Sequence, residues 1–174
     1  MKGGRVQAGS ARYQMAGGIH RIPVASAVGH LHATAFAVTG PDPAAALDDV
    51  GDEVMVCLLT DAEMTMRFPD YPAWLADPAP HRAIHVPIVD QGVADDHVMR
   101  TLVGDINRRL DQGAGVMVHC GAGYGRAGIV CISVLTARGM ALEDAVTAVR
   151  AARPAAGPQS HSQEAQIARL AARV

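Results

Sequence analysis

Residues 115–128 constrain the fold more than any other part of the chain. An apolar strand-like run ends in the pair His119-Cys120, three glycines follow at alternate positions, and Arg126 opens a longer apolar segment. The pattern predicts a buried strand, a glycine-rich loop and the first turn of a helix. Glycines let backbone N–H groups turn inward, and a helix N-terminus carries partial positive charge. This loop is therefore predicted to bind an anion.

One cysteine and one arginine give this loop its predicted chemistry. At the mouth of an anion site, Cys120 is expected to have a lowered pKa and to be a nucleophilic thiolate. The planar guanidinium of Arg126 is suited to holding a phosphate group. Cys57 and Cys131 stand inside apolar segments and are interpreted as buried packing residues.

The same loop also matches a dinucleotide-binding pattern. Residues 123–128 read G-x-G-x-x-G, and Glu143 follows about 20 residues later, as that motif requires. However, residues 141–152 have helical periodicity where the motif needs a second strand, and nothing in the motif requires His119-Cys120. A nucleoside-triphosphate loop is excluded because no Lys-Ser or Lys-Thr follows the glycines.

The order of apolar segments predicts an α/β fold. Strands are expected at residues 19–24, 31–38, 53–59, 83–86 and 116–119, and helices at residues 44–50, 61–66, 71–76, 126–137, 141–152 and 160–172, with one more beginning at Asp95 or Asp96. We predict a single-domain, three-layer α/β fold with a mostly parallel sheet of four to five strands between helices. Residues 1–18 are expected to be a flexible segment, and residues 19–174 one catalytic domain.

Charge and composition limit the classes of partner that this chain is expected to bind. The net charge of −2 argues against nucleic acid or an anionic membrane. No apolar run approaches the roughly 18 residues of a membrane span, and no apolar core of a secretory signal is present. The three cysteines are widely spaced and do not indicate a disulfide framework, and no Cys/His spacing suggests zinc. We expect a cytoplasmic protein without cofactor or metal, and the oligomeric state stays open.

His119-Cys120, five residues and then Arg126 resemble the His-Cys-x5-Arg signature of the protein tyrosine and dual-specificity phosphatases. The resemblance covers residues 31–172 and implies a phosphatase-like fold, and the loop is most similar to the compact dual-specificity and bacterial members. It implies that Cys120 attacks phosphorus and forms a phosphocysteine. It also implies that the backbone N–H groups of the whole loop bind phosphate oxygens. These belong to Gly121, Ala122, Gly123, Tyr124, Gly125 and Arg126.

The resemblance also implies a general acid upstream of the signature. Asp90 follows a predicted strand end in the segment Pro87 to Asp90, similar to a Pro-Ile-x-Asp segment of the family, and would protonate the leaving group. Asp95 and Asp96 are the alternatives, although their position before a helix suits capping better.

Three supporting roles follow from the same resemblance. His119 would hydrogen-bond loop backbone and support the thiolate, unless it only ends the strand. Glu63 would brace Arg126, or it is an exposed helix carboxylate. Gln163 would position the hydrolytic water, but Ser160-x-x-Gln163 also reads as a capping box.

One position departs from the family pattern. Relatives usually have Ser or Thr after the arginine, whereas this chain has Ala127, which predicts slow breakdown of the phosphocysteine. Loop positions 121, 122 and 124 are not basic, which favours a phosphotyrosine or another aryl or alkyl monoester over phosphoinositides. Arg67, His81 and Arg82 are candidates for the rim of the site.

Two further function classes are compatible with the loop. A phosphate-binding module with little turnover would keep the loop without efficient hydrolysis. A thiol-based redox or sulfur-transfer protein would use Cys120 without phosphatase activity.

Overall fold

The structure is a computed structural model, and it describes residues 17–172. The segment expected to be flexible, residues 1–18, therefore lies almost entirely outside the described residues. Five strands form one sheet in the described part of the chain. They are β1 (His20–Ile22), β2 (His30–Ala35), β3 (Val54–Cys57), β4 (Arg82–His85) and β5 (Gly115–Cys120).

The sheet order is β1-β2-β5-β3-β4, so β5 is the central strand. β1 pairs antiparallel with β2, and every other pair is parallel. The prediction of a mostly parallel sheet of four to five strands is confirmed. Because parallel strands end at the same edge of a sheet, the carboxyl ends of β2, β5 and β3 lie side by side, where open α/β sheets bind ligands.

Eight helices flank this sheet in the described residues. They are α1 (Phe36–Thr39), α2 (Pro43–Val50), α3 (Asp61–Arg67), α4 (Tyr71–Ala76), α5 (Asp96–Asp111), α6 (Gly125–Ala137), α7 (Leu142–Ala152) and α8 (His161–Ala171). None of the helices between residues 17 and 172 has the length and apolar character needed to cross a membrane.

Alternation along the strands produces the three layers. Val116 and Val118 of β5 pack with buried residues of α5, α6, α7 and α8. Met117, between them, faces the opposite side and packs with residues of α1 and α2. α5 begins at Asp96, as predicted, and its buried face consists of Met99, Leu102, Val103, Ile106 and Leu110. The α/β, three-layer prediction is therefore confirmed.

The second predicted strand, residues 31–38, was extended too far. β2 ends at Ala35, which is the N-cap of α1, and the next backbone N–H, that of Phe36, donates to the carbonyl of Gly121 at 3.0 Å. The chain then turns into the short helix α1, and the Phe36 ring packs edge-on against Phe68 and Tyr71. Small and apolar residues alternate across this bend, so periodicity alone could not place it.

Candidate active site

Cys120 is the last residue of the central strand and lies almost fully buried at its carboxyl end. Residues 121–124 form the loop, and α6 begins at Gly125. Gly123 has φ +76°, and a Cβ on it would lie 2.3 Å from the carbonyl oxygen of Thr34. Only glycine fits there, because the loop both adopts a left-handed conformation and passes directly over β2.

Arg126, in the first turn of α6, is only 3% exposed. Its two terminal nitrogens donate to the two carboxylate oxygens of Glu63 at 2.9 and 2.8 Å. The carbonyl of Ile88 accepts a third bond at 2.7 Å. A Cβ on Gly121 would lie 3.3 Å from a terminal nitrogen, so the guanidinium lies against the loop. Its Nε is buried and has no hydrogen-bond partner among residues 17–172.

Glu63 is fixed from both sides. Its carboxylate accepts bonds from the backbone N–H and the hydroxyl of Thr60, and Thr60 caps α3 in return. Burial acts to raise the pKa of Glu63, but the bonds from Arg126 and Thr60 outweigh it and hold that pKa below its usual value. Of the two interpretations of Glu63, the structure has the contact with Arg126.

Asp90 lies on the loop between β4 and α5, with its side chain 72% exposed. One carboxylate oxygen accepts a bond from Arg126 at 3.3 Å. The alternatives are engaged elsewhere: Asp95 caps α5 through the N–H of His97, and Asp96 pairs with Arg169. Among the predicted acids, Asp90 is the one that contacts the loop arginine.

The Asp90 loop is tied to the start of α8. The Ser160 hydroxyl donates to the carbonyl of Gln91 at 2.7 Å, and Nε2 of Gln163 donates to the carbonyl of Gly92 at 3.0 Å. The backbone N–H of Gln163 also donates to the Ser160 hydroxyl, which is half of a capping box. The other half is missing, because the Gln163 carbonyl oxygen accepts from the N–H of Gln159 instead.

Gln163 also lies against the loop. A Cβ on Gly125 would lie 3.2 Å from Oε1 of Gln163 and 2.9 Å from Oε1 of Gln159. The fully buried Gln163 thus connects the start of α6 with the Asp90 loop. Gln159, which is exposed and which the sequence reasoning overlooked, has its amide at the same place.

His119 points to the sheet face opposite that of Cys120. Its Nε2 lies 2.6 Å from the hydroxyl of Tyr71, which the sequence reasoning did not single out. Burial lowers the pKa of His119 to about 3, and the nearby backbone of Cys120 acts in the opposite direction. The imidazole is therefore neutral at pH 7, and its ring stacks on Phe36.

Arg153 directly follows the helix predicted at residues 141–152, and its side chain donates hydrogen bonds to the glycine-rich loop. This fully buried residue donates to the carbonyls of Gly123 and Ala122 at 2.8 and 3.0 Å, and to those of Gly17 and Gly18. Because a trans peptide is planar with C=O and N–H opposed, the N–H groups of Gly123 and Tyr124 point away from Arg153.

The side chains of Tyr124 and Ala127 pack against the protein. The Tyr124 ring lies under the guanidinium of Arg153, at 5.0 Å from ring centre to Cζ. Ala127, in the first turn of α6, is fully buried in the core. The rim candidates His81 and Arg82 are wrong, because they lie at the amino end of β4, the opposite edge of the sheet from Cys120.

A protein-family model, the DSP-PTPase phosphatase domain of the PTP-SAK "Swiss Army Knife" proteins, matches residues 39–171. The chain belongs to this phosphatase-domain family. Membership agrees with the resemblance carried by His119-Cys120 and Arg126, and implies phosphorylated substrates. No curated protein sequence matches the chain significantly.

Solved structures show the same fold at low sequence identity. Kinase-associated phosphatase with its catalytic-site cysteine replaced by serine aligns at a TM-score of 0.76 and 19% identity, over 90% of this chain and 97% of that one. The active form of Tk-PTP aligns at 0.68 and 21%, over 89% and 98%. PTPMT1 in complex with PI(5)P aligns at 0.68 and 18%, over 89% and 97%.

Proposed function

We propose that this chain is a cysteine-dependent phosphatase that hydrolyses phosphomonoesters through a phosphocysteine intermediate, with residues 19–174 as its catalytic domain. The observation that carries the proposal is the pairing of Cys120 with a buried, pre-oriented arginine at the end of the central strand. Arg126 is held by Glu63 and lies against Gly121. Its Nε remains available as a donor. A phosphoryl oxygen is the acceptor that suits this site.

In the first step, the Cys120 thiolate attacks phosphorus. An S–P bond forms and the P–O bond to the leaving group breaks, with the electron pair passing to the leaving oxygen. Asp90 donates its proton to that oxygen. The loop N–H groups and Arg126 hold the equatorial oxygens, where negative charge lies in the transition state.

In the second step, water attacks the phosphocysteine. The S–P bond breaks and the thiolate is restored, while Asp90 takes the proton of the water. Gln163 supports this step by holding the Asp90 loop beside α6, and the amide of Gln159 or Gln163 orients the water. Because Ala127 offers no hydroxyl to the departing thiolate, this step limits turnover.

The substrate proposed is phosphotyrosine in a protein, or another singly phosphorylated aryl or alkyl ester. Positions 121, 122 and 124 supply no lysine for additional phosphates. PTPMT1, solved with PI(5)P, is the structural relative that makes a phosphoinositide the competing substrate class. The three cysteines are free, and we propose the cytoplasm as the compartment, since its reducing poise keeps Cys120 a thiol.

Hydrolysis of p-nitrophenyl phosphate tests the proposal. We expect activity in the native chain, none in Cys120→Ser, and nearly full activity in the control Cys131→Ala, which removes a buried thiol outside the loop. Adding a chelator should leave the rate unchanged, because no step uses a metal. A native chain that binds vanadate without hydrolysing the ester would overturn the proposal.

A phosphate-binding module with little turnover is the second candidate. Two observations favour it: Ala127 is buried where relatives have a hydroxyl, and Asp90 is largely exposed. A thiol-based sulfur-transfer protein would instead take a sulfane sulfur onto Cys120 from a donor such as thiosulfate, which leaves as sulfite. Persulfide formation without ester hydrolysis would identify that third class.

A further inference from the structure

A group of three polar side chains lies at the opposite edge of the sheet from Cys120. His30 and His32 occupy alternate positions of β2, so their side chains share one face. Asp52 comes two residues before β3. Gly115, at the start of β5, pairs with His30 and lies between β2 and Asp52. Cys120 stands five positions further along β5, about 17 Å away at the rise of a strand.

The ligand-type atoms of these three residues converge. Nε2 of His30 lies 3.0 Å from Oδ1 of Asp52. Nδ1 of His32 lies 3.1 and 3.0 Å from the two carboxylate oxygens. One ligand atom from each residue lies within 4.8 Å of the other two. The Asp52 side chain is fully buried, while that of His30 is 26% exposed.

Two features point to an ion rather than to a closed hydrogen-bond network. Nε2 of His30 is buried and lies 3.0 Å from Oδ1 of Asp52, but their relative orientation does not allow a hydrogen bond. This nitrogen has no hydrogen-bond partner among the described residues. A Cβ on Gly115 would lie 2.4 Å from Oδ1 of Asp52 and 2.6 Å from that nitrogen. Nε2 of His30 is therefore a buried polar atom without a partner in the described part of the chain. The space beside it would be filled by any residue larger than glycine at position 115.

We propose that His30, His32 and Asp52 bind one divalent transition-metal ion, for which Zn²⁺ is the best fit. Imidazole nitrogen and carboxylate oxygen are zinc ligands, and tetrahedral bonds of about 2.0–2.1 Å separate ligand atoms by roughly 3.3 Å. The observed separations of 3.0 and 3.1 Å are close to that value. A fourth position is left for water or another ligand.

The proposed ion would join β2 to the segment that leads into β3, across the start of β5. β2, β5 and β3 are neighbours, and the ligands come from β2 and from Asp52, two residues before β3, on either side of Gly115. A surface cavity lined by Asp52, Glu53, His81 and Arg82 lies beside this group of residues. The role is structural and independent of the proposed phosphatase reaction. No metal was expected from the sequence, in which no Cys/His spacing suggests zinc, and the third proposed ligand, Asp52, stands 20 residues after His32.

Calorimetric titration with Zn²⁺ tests the site. The tag-free full chain carries Cys120→Ser, which removes the loop thiol as a competing ligand, and is stripped of metal beforehand. We expect one ion per chain and a higher unfolding temperature with zinc. Asp52→Asn, which keeps the shape and an acceptor for His32, should weaken binding at least about 100-fold. Co²⁺ should give the visible absorption of a four-coordinate site, absent in Asp52→Asn.

His81→Gln is the matched control, because His81 also pairs with an aspartate, Asp48, at this edge of the sheet. It should bind zinc as the parent does. If Asp52→Asn fails to fold by circular dichroism, His30→Gln replaces it, since Nε2 of His30 makes no hydrogen bond with any residue from 17 to 172. The proposal is overturned if the parent binds no zinc more tightly than about 10 μM. It is equally overturned if the ligand variants bind like the parent.

Discussion

Glu63→Gln separates the orientation of Arg126 from the stability of α3. Glutamine keeps the size of the side chain and one acceptor oxygen, but it removes the negative charge that faces the guanidinium at 2.8 and 2.9 Å. Glutamine also serves at the third position of a capping box, so α3 keeps its cap at Thr60. The variant therefore changes the ion pair and little else.

The size of the effect follows from burial. Removing one partner of a fully buried ion pair costs about 3–5 kcal/mol. Here Glu63 is 32% exposed, and Asp90 and the Ile88 carbonyl still contact Arg126. We therefore expect a loss of about 1.5–3 kcal/mol in the free energy of unfolding. If the guanidinium also leaves its position, kcat should fall roughly 10²–10³-fold, as for a lost oxyanion donor.

Aryl phosphate hydrolysis and urea unfolding measure the two effects. Thr60→Ala is the control, because it removes the cap at a cost of about 1 kcal/mol while leaving the charges of Glu63 and Arg126 in place. We expect Thr60→Ala to keep near-native kcat. Equal losses of kcat in the two variants, or native kcat/KM in Glu63→Gln, would refute the view that Glu63 orients Arg126.

Three further predictions concern single residues. Asp90→Asn should lower kcat/KM, which reports the first step, about 10²–10⁴-fold for alkyl phosphates and less for p-nitrophenyl phosphate, whose leaving group needs no acid; equal losses of kcat/KM on both would contradict its role as the acid. Ala127→Ser should raise steady-state turnover and reduce the burst of the native chain; unchanged turnover together with no burst would show that the second step is not slow. The pKa of His119 is lowered to about 3 in the folded chain. Between about pH 6.5 and pH 3, its imidazole is therefore protonated in the unfolded chain but not in the folded one. Stability should then fall as pH falls from about 6.5 towards 3, by up to about 1.4 kcal/mol per unit, and His119→Asn should lack this slope; parallel pH curves would count against it.

The fold was predictable where the pattern is continuous. The apolar run at residues 53–59 contains a strand that is buried on both faces, and the apolar stripe of residues 99–110 became the buried side of α5. The order of strands was not available, because it depends on which strands pair over long distances. The end of β2 was missed for a related reason, since the bond from Phe36 to Gly121 is a tertiary contact.

The candidate site divides in the same way. Cys120 and Arg126 are six residues apart in one loop, so their proximity is encoded locally. Glu63 and Asp90 came from the family resemblance, and no spacing rule could have placed either one on Arg126. Tyr71 gave no usable signal at all, because a tyrosine in a short apolar helix reads as packing. The catalytic and supporting roles of the predicted site residues stay predictions until the variants are measured.

Arg153 shows why a loop motif alone underdetermines an anion site. Its charge is satisfied by backbone carbonyls of Ala122, Gly123, Gly17 and Gly18. Since those bonds turn two loop carbonyls towards Arg153, they turn the N–H groups of Gly123 and Tyr124 the other way. Burial lowers the pKa of Arg153, while Tyr124 and Cys120 act to raise it. The loop glycines permit many peptide orientations. A residue 30 positions after Gly123 therefore selects the one in which these donors turn away from Arg153.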